Sequence, residues 1–125
     1  MKKGVLIFWA IIIAFIVLGA GAVFFSSSVP GKYDTLAQCI KDKGVIFYGA
    51  FWCPHCQATN ALFGRSAKLL PYTECSTSDG RGQLQVCKDA NVTTYPTWVR
   101  PDGERLVGEH TLQEWADFSG CPLTQ

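Results

Sequence analysis

Methionine and histidine are nearly absent from this chain of 125 residues: Met1 is the sole methionine, and His55 and His110 are the two histidines. A copper(I) carrier would draw on methionine sulfurs or a histidine-rich loop beside its cysteines, and the chain offers neither. Basic clusters are missing too, and a formal net charge of +1 leaves nothing to follow a nucleic-acid backbone, so no nucleic-acid partner is expected. Closely spaced cysteines are also scarce. Of the six, only Cys53 and Cys56 are separated by just two residues, so a four-ligand zinc site would hold half its set and no metal is expected. Charge is missing altogether from Gly4 to Phe25, a run of 22 residues.

That uncharged run is long enough to span a bilayer, which takes about 20 apolar residues. Lys2 and Lys3 precede it and no basic residue comes after it until Lys32, which places the N-terminus in the cytoplasm and the rest of the chain outside. A cleaved signal peptide is the competing reading, with Ala20-Gly21-Ala22 as its cleavage site. The hydrophobic run continues through Val23-Phe24-Phe25 with no polar region before that site, which favours an uncleaved single-pass anchor in the cytoplasmic membrane. Both readings export the remainder of the chain. The chain therefore divides into residues 1–25 (stub and transmembrane anchor), 26–31 (a polar tether, Ser26-Ser27-Ser28-Val29-Pro30-Gly31) and 32–125 (one small domain). All six cysteines fall in the domain, which suits an oxidising, periplasmic or equivalent compartment.

Within the domain, Val45-Ile46-Phe47-Tyr48-Gly49-Ala50-Phe51 carries no charge and reads as a strand buried on both faces. Gln57 to Leu70 places Ala58, Ala61, Leu62, Ala67 and Leu70 at three- and four-residue spacings, an amphipathic helix ending at Pro71. Cys53 stands where strand becomes helix, facing unpaired backbone N–H groups and the positive end of the helix dipole. A free thiol has a pKa near 8.5, and one at the helix N-terminus of such a motif falls to between about 3.5 and 7, so it is the attacking thiolate. Pro54 suits a first helical turn and His55 adds a polar, cationisable ring beside the sulfur. Cys56, one turn deeper, can resolve a mixed disulfide. A purely structural bridge between the two is the bland alternative.

The remaining elements come in order. Tyr33 to Gly44 reads as a helix with Asp34 as N-cap, Leu36 and Ile40 inward and Gly44 as its stop. Pro71 to Cys75 is a short strand, 76–82 a loop, and Gln83 to Ala90 helical around Leu84, Cys87 and Val86. Thr97 to Arg100 and Arg105 to Gly108 form a hairpin through Pro101-Asp102-Gly103-Glu104. Thr111 and Glu114 make a capping box for a last helix, with Leu112, Trp115 and Ala116 inward and Gly120 at its end. His110 is expected as a surface or capping residue, and Trp52 and Trp98 as parts of core and groove walls.

Helix, strand, helix, strand, helix, then strand, strand, helix, with the cysteine pair at the end of the first strand, resembles the thioredoxin fold: an α/β arrangement of β-α-β followed by β-β-α, with an extra N-terminal helix and one transmembrane helix before it. The resemblance implies a cis-proline opposite the cysteine pair, at Pro96. Phe47-Tyr48-Gly49-Ala50-Phe51-Trp52-Cys53-Pro54-His55-Cys56-Gln57, Leu62-Phe63-Gly64, Tyr72-Thr73-Glu74-Cys75-Ser76, Tyr95-Pro96-Thr97-Trp98 and Ser119-Gly120-Cys121 narrow it. Together they resemble the thioredoxin-like domain fused to bacterial and plant homologues of vitamin K epoxide reductase, over about residues 34–121. The inner dipeptide Pro54-His55 also matches DsbA-type oxidases.

Four cysteines besides the active pair allow three pairings. The resemblance implies Cys75 with Cys87 and, with it, Cys39 with Cys121, both structural. It further implies a protein-disulfide oxidoreductase without a cofactor: Cys53 as nucleophile, Cys56 as resolving thiol, His55 tuning Cys53, Pro54 beside them in the active-site motif, and Pro96 shaping a substrate groove walled by Trp52 and Tyr95. Exported cysteine-containing proteins would be its clients, and a separate membrane protein resembling vitamin K epoxide reductase its oxidant, since the multi-helix quinone-reducing part is not in this sequence. Two positions depart from thioredoxin itself. Phe47 replaces its buried acid, and the bulky Tyr95 precedes the proline. A thiol reductase serving cytochrome maturation or an isomerase, and a copper(I) chaperone using Cys53 and Cys56, are the alternatives.

Overall fold

The computed structural model describes residues 2–27 and 29–124. It has two compact units, Met1–Pro30 and Gly31–Gln125. In the first, α1 (Lys2–Ser27) is one continuous helix that extends two residues beyond each end of the uncharged run. Lys2–Phe24 has a mean hydropathy of 2.8 and is long and apolar enough to cross a membrane, a property it shares with signal sequences.

The second unit is a thioredoxin fold. Its sheet runs in the order β2-β1-β3-β4: β1 (Ile46–Gly49) pairs in parallel with β2 (Tyr72–Glu74) and antiparallel with β3 (Thr97–Val99), which pairs antiparallel with β4 (Arg105–Val107). Helices α2 (Asp34–Asp42), α3 (Pro54–Phe63), α4 (Gln85–Asp89) and α5 (Leu112–Ser119) complete it. Side chains alternate along β1 and split the core in two. Phe47 stacks on Trp98 of β3 with ring centroids 4.4 Å apart, and Trp98 lies 4.4 Å from Trp115 of α5, beside Leu36, Ile40 and Phe63. Tyr48 faces a smaller cluster with Cys75, Cys87 and Val92.

Turn and cap chemistry explains most boundaries. Gly44 takes a left-handed φ of 72° and ends α2, with the Val45 N–H reaching back to Ile40 O. Gly103 sits at φ 88° in the β3–β4 turn, and the capping box of Thr111 and Glu114 opens α5, which stops at Gly120 (φ 67°). The acceptor role holds the Glu114 carboxyl below its usual range, through the Thr111 backbone N–H first.

Four expectations need correction. The N-cap of α2 is Tyr33, not Asp34; Asp34 is the first helical residue, and its carboxylate accepts from the Gly31 N–H at 2.9 Å. The strand is shorter than 45–51: it covers Ile46–Gly49, only Phe47 and Tyr48 are paired on both sides, and Ile46 and Phe51 are exposed. The helix from 57 to 70 breaks at Gly64 (φ 55°) into a 3-10 helix, Gly64–Leu69, and its buried stripe is Cys56, Thr59 and Phe63; Ala61 and Leu62 face outward. In α4 only Cys87 is buried, with Leu84 and Val86 exposed.

Candidate active site

The strand β1 delivers the chain to Cys53, the N-cap of α3. Its N–H donates to Ala50 O at 3.0 Å and its carbonyl accepts from the Gln57 N–H at 3.1 Å, which starts the helix. The Cys53 side chain makes no capping bond, and Pro54 occupies the first helical position, so the sulfur is left beside the N–H groups of the first turn. Both thiols are free. The chain around them is exposed at Phe51, Trp52, Pro54 and His55, yet Cys53 is only 4% and Cys56 2% exposed.

The two sulfurs occupy different surroundings. Cys53 Sγ lies 3.8 Å from the carbonyl of Tyr95, whose bond to Pro96 is cis. Cys56 projects back under β1, where a Cβ on Gly49 would sit 3.0 Å from its Sγ and 2.7 Å from the Tyr72 ring; glycine is needed there for room. Burial pushes the Cys56 thiol up to about 12; Cys53 and the Glu74 carboxylate push it further in the same direction, against a backbone hydrogen bond at Ala50. Phe47 fills the place of an acid with a buried ring, stacked on Trp98 and edge-on to Tyr72. Burial first, then the hydrogen bond to Glu74, raises the Tyr72 hydroxyl as well. Two thiols one helical turn apart, one at the helix end and one held protonated, can take part in stepwise disulfide exchange.

Around the pair stand residues the sequence expectations name and several they miss. Trp52 is 49% exposed and meets Tyr95 edge to face, with centroids 6.1 Å apart. Trp98, by contrast, is wholly core. His55 Nδ1 lies 2.5 Å from a carboxylate oxygen of Glu109, in the loop before α5. His110 is half-buried, edge-on to Trp115, with Nε2 3.1 Å from Val107 O and Nδ1 3.5 Å from Glu114. Glu74 enters the expectations only within the motif Tyr72-Thr73-Glu74-Cys75-Ser76, with no role in the site. Its carboxylate accepts from the N–H groups of Phe51 (3.3 Å) and Ser76 (2.8 Å) and from the Tyr72 hydroxyl (2.8 Å), so it braces the turn that carries Cys53. Ser76 and Gln83, which bond to Trp52 and Tyr95, are likewise given no site role by the expectations, which place Ser76 in that motif and Gln83 at the start of a helix.

The other four cysteines are bonded as Cys39–Cys121 and Cys75–Cys87, with Cα atoms 6.0 and 5.5 Å apart. The first ties α2 to the end of α5; the second closes the loop between β2 and α4.

No protein-family profile matches the chain. It is 40% identical over 104 residues, covering 80% of its own length, to a protein of Arabidopsis thaliana named thiol-disulfide oxidoreductase LTO1. The chain spans 27% of the length of that relative, a little over a quarter, and within that span what it resembles is an oxidoreductase of thiols and disulfides.

Proposed function

We propose that this chain is an extracytoplasmic protein-disulfide oxidoreductase that oxidises the thiols of exported proteins. The observation that carries the reading is the unequal pair at the start of α3: Cys53 as N-cap beside the Tyr95–Pro96 loop, and Cys56 buried and held protonated. A client thiolate attacks Cys53 Sγ of the oxidised pair, the Cys53–Cys56 bond breaks, and Cys56 leaves with the electron pair and takes up a proton. A second client thiolate then attacks the client sulfur of the mixed disulfide. Cys53 leaves with the electron pair, and the client departs with its disulfide. Two electrons now reside on the Cys53–Cys56 dithiol. Their acceptor in this proposal is a separate membrane protein resembling vitamin K epoxide reductase, reached because α1 anchors the chain with its N-terminus inside and the domain outside. His55 tunes Cys53, Pro96 shapes the groove, and Trp52 and Tyr95 wall it.

Equilibrating the full chain with glutathione buffers and quantifying the Cys53–Cys56 disulfide tests the direction. A potential nearer the roughly −120 mV of DsbA than the roughly −270 mV of thioredoxin is expected. A value near −270 mV, about that of thioredoxin, would make the protein a reductase. The name of the Arabidopsis thaliana relative supports the reaction class, and the six cysteines support the compartment.

A further inference from the structure

The loop between Cys75 and Cys87 is stiffer than its polar sequence suggests. Ser76 and Gln83 face each other as an antiparallel bridge, with the Leu84 N–H on Cys75 O at 2.7 Å below it. Above it, the Thr77 N–H donates to Gly82 O at 2.9 Å, the Gly80 N–H to Thr77 O at 2.9 Å, and the Gly82 N–H to Thr77 Oγ1 at 2.9 Å. The disulfide closes the base.

Each member of the bridge holds one aromatic wall of the cysteine site. Ser76 Oγ accepts from the Trp52 indole N–H at 2.8 Å. Gln83 Nε2 donates to the Tyr95 hydroxyl at 2.8 Å and to Val92 O at 2.7 Å. The loop tip also abuts the walls: a Cβ on Gly80 would lie 3.6 Å from Trp52 Cδ1 and 3.9 Å from Phe51 Cζ. Stability does not explain this, since an indole half open to water contributes little to the core and would otherwise sample several rotamers. Fixing it before a client arrives removes an ordering cost from binding.

We propose that Ser76 and Gln83 are positioning residues for client capture: through the disulfide-closed loop they set the orientation of Trp52 and Tyr95 and hence the width of the groove leading to Cys53. What the groove grips, an unfolded cysteine-bearing polypeptide, rests on the oxidoreductase reading above. The two residues act through the walls, so they bear on binding and leave the sulfur chemistry alone.

The experiment uses the full chain in detergent micelles, with Ser76→Ala, Gln83→Met, Tyr95→Phe and the Gln83→Met/Tyr95→Phe double variant. With an unfolded two-cysteine polypeptide as client, each single variant should raise KM about fivefold, the worth of one side-chain hydrogen bond, while kcat and the Cys53–Cys56 potential stay within about twofold. The double variant should match Gln83→Met, because once Gln83 is gone Tyr95→Phe has no bond left to remove, while Gln83→Met alone also gives up the bond to Val92 O. Unchanged KM, a loss confined to kcat, or a further increase in the double variant would overturn the proposal. Tyr95→Phe deletes one oxygen and keeps the packing, so a misfolded Gln83 variant does not remove the test. Alkylation of the reduced proteins separates the two readings, because it needs no exchange activity. Released walls should speed iodoacetamide capture of Cys53 about fivefold, and an unchanged rate overturns the wall proposal. A wild type that alkylates normally yet oxidises no client would overturn the oxidoreductase reading alone.

Discussion

Cys56 should resolve a mixed disulfide slowly and with a steep dependence on pH. Burial raises its thiol from 9.0 to about 12, so at pH 7 only about one molecule in 10^5 carries the Cys56 thiolate. Relative to an unperturbed thiol, that is about a thousandfold loss of nucleophile. A more basic sulfur is intrinsically more reactive, with a Brønsted slope of about 0.4 to 0.5, which returns about twentyfold. The net expectation is resolution about fiftyfold slower than an unshifted thiol would give in the same geometry. The rate should rise about tenfold per pH unit from 6 to 9 without levelling, because the titration lies above that range. Loading Cys53 with glutathione as a mixed disulfide and tracking glutathione release by the full chain measures this. A plateau below pH 9 would refute the assignment, as it would show that the buried site admits the Cys56 thiolate far more readily than desolvation allows. The same shift has a sign for stability: in the dithiol form, the contribution of protonated Cys56 is complete below pH 9.0 and is lost as pH rises toward about 12, where only the unfolded chain has released the proton.

Single contacts give further outcomes. Gly49→Ala forces a methyl to within 2.7 Å of the Tyr72 ring and 3.0 Å of Cys56 Sγ, so it should cost about 1 to 3 kcal/mol in guanidinium unfolding and slow exchange with Cys56 more than attack by Cys53. Opening Cys75–Cys87, which closes a separation of 12 residues, should cost about 3 kcal/mol, and opening Cys39–Cys121, with a separation of 82, about 4.5 kcal/mol, read as midpoint shifts in denaturant. Glu74→Gln keeps an acceptor for the Phe51 and Ser76 N–H groups but removes a charge that raises Cys56, so glutathione release should quicken. His55→Ala should make the pair more reducing, by about 30 mV for each tenfold change in the exchange equilibrium with glutathione.

The features legible in the sequence are local in the chain, and those that are not depend on distant partners. Cys53 and Cys56, the Pro101-Asp102-Gly103 turn and the capping box of Thr111 and Glu114 are complete within a few residues, and the fold order rests on them. The inward face of α3 departs from the expected one because its buried residues are not all apolar. Thr59 satisfies its hydroxyl on His55 O at 2.9 Å and then packs like a hydrophobe, while Leu62, which the spacing favours, lies outside. Ser66 is likewise buried near the break at Gly64, with its hydroxyl oxygen accepting the Tyr33 N–H at 2.9 Å. The outer site depends on still longer reach: Trp52 finds Ser76 24 positions on, and His55 finds Glu109 across 54. Nothing in the spacing of polar loop residues marks those partners.

The inequality of the two thiols bears directly on the direction of electron flow. A mixed disulfide between Cys53 and a client has two exits. Attack by Cys56 on Cys53 returns a reduced client, whereas attack by the second client thiol on its own partner releases an oxidised one. Holding Cys56 near pKa 12 closes the first exit by about fiftyfold and leaves the second to an ordinary exposed thiol near 8.5. Phe47 contributes to the same end, since a carboxylate in its place could accept the Cys56 proton, whereas a ring stacked on Trp98 cannot. The proposed role as disulfide donor therefore predicts a measurable partition. A client with two reduced thiols, mixed with the oxidised chain at pH 7, should leave the mixed disulfide mostly as oxidised product, and the reduced fraction should grow as pH rises toward 9.5 and Cys56 begins to ionise. If reduced client dominated at pH 7, Cys56 would be an efficient resolving thiol despite its burial, and the structure would favour a reductase instead.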